Sequence, residues 1–128
     1  MRVVIATDGH PTSTHAIEEA IRLLPLREAK VFLVSVLDPE QRIGGNEDAH
    51  SDIEQGTAIL RDRGIEVTPI ERRGHFAEEI VAEATEVGAD MIVVGSSGHG
   101  RFLQLIGGSV STEVIHQWKG AVLVVRHP

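Results

Sequence analysis

"MIVVGSSGHGRFLQLIGGSVS", residues 91 to 111, is the stretch on which the fold turns. It opens on four apolar residues, Met91-Ile92-Val93-Val94. Glycines follow at 95, 98, 100, 107 and 108 and serines at 96, 97 and 109, before an apolar helical spacing resumes with Val110 and Val114. A short apolar run without polar alternation suits a strand buried on both faces, as in a parallel sheet. A glycine-rich connection behind it, ending where a helix opens, makes one strand-loop-helix unit of an α/β protein.

The same unit recurs in both directions along the chain. Apolar runs rich in Val and Ile occupy residues 3–6, 31–37 and 121–125, and a weaker, more polar one at 65–70 reads as an edge strand. Between them the period becomes helical. Pro11 with Thr12, Ser13 and Thr14 signals a helix start, after which Ala16, Ile17, Ala20, Ile21 and Leu24 share one face. Ala49, Ile53, Gly56 and Leu60 form a second face, ending at Gly64, a natural left-handed cap. A third helix is expected from about Phe76 to Val87, with Glu78 and Glu79 in its first turn, and a fourth opens just after Ser109. Strict alternation of strand and helix with right-handed crossovers predicts a five-stranded parallel sheet covered on both faces by helices. In such sheets ligands bind beyond the carboxyl ends of the strands, where the strand order reverses.

Size and composition narrow the function. The 128 residues, read as one domain over 1–128, can bury a single core. A formal charge of -7 argues against nucleic acid or an anionic membrane as partner, because both are held by clustered Lys and Arg. With no cysteine there is no disulfide, thiolate metal site or thiol catalysis. The apolar run at the N-terminus is too short for a signal peptide or a membrane span, so a cytoplasmic protein is expected.

The glycine stretch carries the chemistry. Successive glycines let backbone N–H groups converge on an anion, and a helix opening at Ser109 adds unpaired N–H groups at the positive end of its dipole. A phosphate fits such a cradle. The common fingerprints do not match: no lysine completes a Walker A loop, and Leu103 stands where a dinucleotide loop needs its third glycine. What is present is Gly95-x2-Gly98-x9-Gly108-Ser109.

That spacing resembles the nucleotide-binding branch of the universal stress protein family. So do the opening "VVIATDGH", the "SVLDP" at the end of the second strand run, "GADMIVVGSSGHG", and the closing "GSVSTEVI" and "VLVV". Four motifs in order along the whole chain make the resemblance specific. It implies a flavodoxin-like (Rossmann-like) sheet of order 3-2-1-4-5 and a bound ATP or AMP. Asp8, with Gly9 beside it, would lie near ribose and phosphates and could help hold Mg2+ or Mn2+. Val36 would line the adenine pocket. Gly95, Gly98 and Gly100 would approach ribose and phosphates, Arg101 would reach a terminal phosphate, and Gly108, Ser109, Val110 and Ser111 would bind phosphate. Relatives imply a homodimer through the last strand, Ala121–Val125, and a stress-response role through unidentified protein partners. One departure stands out: relatives often carry a Pro-Cys-Pro turn before that strand, where this chain reads Trp118-Lys119-Gly120-Ala121.

Two other functions compete with a regulatory nucleotide-binding module. A slow ATPase or phosphotransferase would need a water-orienting group and a second carboxylate that the loops do not offer. A purely structural dimer would have no use for the glycine motif. Residues 38–49, with Gly44-Gly45, could fold over a bound adenine. The seven histidines lack an evident carboxylate partner or i,i+4 pairing and read as solvated loop side chains rather than a metal cluster. His10, His75 and His99 follow strands and so fall at one edge of the sheet. Trp118 is expected at the core or an interface rather than as a stacking platform for bases.

Overall fold

A computed structural model describes residues 1–8, 11–39, 49–95 and 110–126. Five strands, β1 (Arg2–Ala6), β2 (Lys30–Leu37), β3 (Val67–Arg73), β4 (Met91–Gly95) and β5 (Ala121–Val125), alternate with four helices. These are α1 (Pro11–Leu23), α2 (Ala49–Asp62), α3 (Phe76–Val87) and α4 (Val110–Gln117), with a short 3-10 turn at Leu26–Glu28. All strand pairs are parallel and the order is β3-β2-β1-β4-β5, as expected. The chain winds out from β1 to β3, then crosses back to β4 beside β1. The strand order reverses between β1 and β4.

Side-chain alternation along the strands divides the core in two. Val3, Ile5, Val31, Leu33 and Val93 face α1 and α2, where Ala16, Ile17, Ala20, Ile53 and Leu60 close over them. Val4, Ala6, Val34, Val36, Ile92 and Val94 face α3 and α4, against Phe76, Ile80, Ala84, Val110 and Val114. Strands sandwiched this way are buried on both sides, which is why they read as continuous apolar runs. Gly56 is the contact point of α2 with the sheet: a Cβ there would lie 2.6 Å from Leu33 Cδ2 and 3.2 Å from Ile17 Cδ1.

The third strand begins and ends later than the expected 65–70. Gly64 adopts a left-handed φ of 74° and closes α2: its N–H donates to Arg61 O and that of Ile65 to Leu60 O. The Ile65 amide is thus part of the helix cap, and pairing with β2 runs from Val67 through Arg73. As expected, β3 is an edge. Pro69 is tolerated there because a proline, lacking an N–H, is confined to edge positions. The opposite edge, β5, is only partly covered, with Val122, Leu123 and Val124 half-buried. Trp118 packs at the margin of the core on the α3 and α4 side.

Candidate nucleotide site

The end of β1 positions the first site residue. Past Ala6, the Thr7 N–H still bonds Val34 O at 2.9 Å, and the chain then turns toward α1. Ser13, in the first turn of α1, donates its hydroxyl to Asp8 Oδ1 at 2.7 Å and accepts the Asp8 N–H at 3.2 Å. Both residues are buried, so the carboxylate is fixed rather than swinging in solvent. It also lies where the dipole of α1 favours negative charge.

Beside it runs β4. The register pairs Val3 with Met91, Val4 with Ile92 and Ile5 with Val93, which brings Gly95 level with Thr7, one residue short of Asp8. Asp8 and Gly95 therefore stand together at the reversal of strand order. Behind them α4 opens with Val110 and Ser111, both buried, its N-terminus toward the carboxyl ends of the strands. On the other side of β1, Val36 stands near the end of β2 with its side chain in the core beside Phe76. Its peptide edge points the same way as that of Val34, toward β1, because alternate residues of a strand face the same neighbour. Gly9, Gly98, Gly100, Arg101, Gly108 and Ser109 lie outside the described residues, as do His10, His99 and the 40–48 part of the loop after β2.

Sequence reasoning did not anticipate every polar group at this rim. Ser13 was visible as part of a helix start, but its pairing with Asp8 depends on a turn that spacing alone does not define. Asp38, buried at the end of β2, has Oδ2 3.6 Å from Nδ1 of the exposed His75, where β3 hands over to α3. Ser35 is fully buried on the α1 and α2 face, its hydroxyl without a hydrogen-bond partner among the described residues.

The expectation that the histidines lack carboxylate partners needs correcting. His50 Nδ1 lies 3.0 Å from Glu71 Oε2 and Nε2 lies 2.6 Å from Glu54 Oε1, four residues along α2. The hydrogen bond to Glu71 first, then the charge of Glu54, raises the imidazole pKa above its ordinary value. Glu71 comes from β3, and strand-to-helix partnership of this kind is not readable from helical spacing. Among the described residues no three His, Asp or Glu side chains converge to hold a metal ion. Among the described residues no helix is long and apolar enough to cross a membrane.

A family model described as the universal stress protein family matches residues 1–126. Universal stress protein MJ0531 of Methanocaldococcus jannaschii is 30% identical, over 99% of this chain and 82% of its own length. The solved structure of MJ0577, a universal stress protein of the same organism, superposes with a TM-score of 0.80 at 28% identity, covering 99% of this chain and 96% of that one. A universal stress protein solved in complex with cAMP shares the fold, with a TM-score of 0.78 at 24% identity, over 98% of this chain and 96% of that one.

Proposed function

This chain belongs to the universal stress protein family, and from that premise we propose that it is a regulatory module that binds ATP or AMP at the reversal point between β1 and β4. The observation that carries the reading is the Ser13-locked Asp8 next to Gly95, with the N-terminus of α4 behind them. A carboxylate for ribose or a phosphate-bound Mg2+ or Mn2+, a glycine that admits the sugar, and a helix N-terminus for phosphate are the three parts such a ligand requires. Gly9, Gly98, Gly100, Arg101, Gly108 and Ser109 complete the cradle by their place in the motif, and Val110 and Ser111 contribute the first turn of α4. Val36 meets the adenine edge through its peptide groups. A protein of the same fold solved in complex with cAMP supports the reading.

The module is a single cytoplasmic domain that pairs with a second copy through β5, whose half-buried Val122, Leu123 and Val124 leave an apolar edge to cover. Nucleotide occupancy then biases what the dimer contacts. Calorimetric titration with ATP, ADP and AMP, with and without magnesium, tests binding. One nucleotide per chain is expected for the parent and none for Gly108→Val, whose side chain fills the phosphate position. Equal binding by that variant refutes the glycine cradle. A monomeric mass by light scattering at micromolar concentration refutes the dimer.

A further inference from the structure

Away from this rim, the flank of α2 overhangs the edge strand β3 and forms a groove of about 470 Å³. Its apolar wall comes from Ile53, Ala58 and Pro69. At one end sits His50, between Glu54 and Glu71. Each glutamate commits one oxygen to the imidazole, and with His50 protonated two carboxylates and one cation leave this end with a net negative charge. At the other end is Arg61, which makes no ion pair with the described residues. Helical rise separates positions 54 and 61 by about 10 Å.

Thr57 lies between these charges. It lines the groove, is 6% exposed, and its Oγ1 has no hydrogen-bond partner among the described residues. A threonine inside a helix ordinarily returns its hydroxyl to the carbonyl four residues earlier. The Thr57 oxygen is itself closed off from the groove, so a ligand meets only the rest of that side chain, as part of the apolar wall.

We propose that this groove binds a small zwitterion with an apolar body and about 10 Å between its charges, the span of an extended tripeptide with free termini. The ammonium end meets the uncommitted oxygens of Glu54 and Glu71, the carboxylate meets Arg61, and the apolar body lies against Ile53, Ala58 and Pro69. This site is separate from the nucleotide rim and does not depend on it.

The probe is alanyl-leucyl-alanine, titrated into the full chain and followed by the backbone amide resonances. Saturable shifts in the millimolar range are expected for residues 50–61 and 69–71. Acetylating the amino end, amidating the carboxyl end, or making Arg61→Gln each weakens binding about fivefold, the effect of an exposed ion pair at the upper end of its range. Non-saturating shifts, equal binding of the blocked peptides, or unchanged binding by Arg61→Gln overturns the proposal. Gly108→Val is the control: it abolishes nucleotide binding and leaves the peptide titration unchanged.

Discussion

Replacing Arg72 with methionine will destabilise the fold by about 3 kcal/mol, as much as a large core truncation. Arg72 reaches from β3 across the α3 face, where its Nε donates to Glu79 Oε1 at 2.8 Å and its Nη1 to Glu83 Oε1 at 2.8 Å and Glu86 Oε2 at 2.9 Å. The three contacts are not equal. Glu86 is 64% exposed, and its pair contributes at most about 0.5 kcal/mol. Glu79, 23% exposed, contributes about 1 kcal/mol. Glu83, at 7%, is the one whose carboxylate would be stranded, and removing the partner of a buried pair costs about 3–5 kcal/mol. With Arg72 itself 21% exposed, water reaches the cluster and we take about 2 kcal/mol, below that range. The guanidinium pKa is raised above its ordinary value, first by the hydrogen bond to Glu79 and further by those to Glu83 and Glu86. Urea denaturation at neutral pH measures the loss, and a cycle with Glu83→Gln isolates the pair, with an expected coupling of about 2 kcal/mol. Arg72→Met costing less than about 0.5 kcal/mol, the size of an ordinary surface change, would refute the reasoning. So would an equal cost in the Glu83→Gln background.

Three further outcomes are open to measurement. Ser13→Ala removes a buried hydrogen bond to a carboxylate and will cost about 1.5–3 kcal/mol in chemical denaturation, together with a weaker nucleotide titration because Asp8 loses its orientation. Gly56→Val drives methyl groups into Leu33 and Ile17 and will cost about 3 kcal/mol, read from the denaturation midpoint. The His50 ring protons, followed by magnetic resonance, will titrate above about 6.5, and Glu71→Gln will bring the midpoint down. Because the folded value is the higher one, the contribution of this cluster to stability is complete below about 6.5 and fades as pH climbs through the raised value.

The strand-helix alternation was legible because β1, β2 and β4 are sandwiched between helices and can afford no polar side chain along most of their length. The edge strand was the one misplaced. Its outer side meets water, so Glu71, Arg72 and Arg73 hide its end, while the buried Ile65 mimics its start. The strand order itself came from the family resemblance, since apolar runs do not say which strands are neighbours. Of the candidate site, Asp8 and Gly95 could be placed because both stand at strand ends. Ser13, Asp38 with His75, and the Arg72 cluster could not, because each pairing joins residues through a turn or across two elements. Charge spacing along one helix reveals only contacts made within that helix, such as Arg22 with Glu19.

The central position of β1 bears on how the chain matures. Its first residues align with β2 on one side and, on the other, with Met91 to Val93, nearly ninety positions away. During synthesis the chain as far as Arg73 can assemble β1, β2 and β3 with their two helices, but the β4 side of β1 stays empty until the last third of the chain emerges. Non-local pairing of this kind is a slow step in folding. The proposed nucleotide lies across that seam, so it would find no site on the half-built sheet and would stabilise only the closed one, by RT ln(1 + [L]/Kd). Adenine nucleotide in the surrounding solution would then act as a clasp on the finished fold.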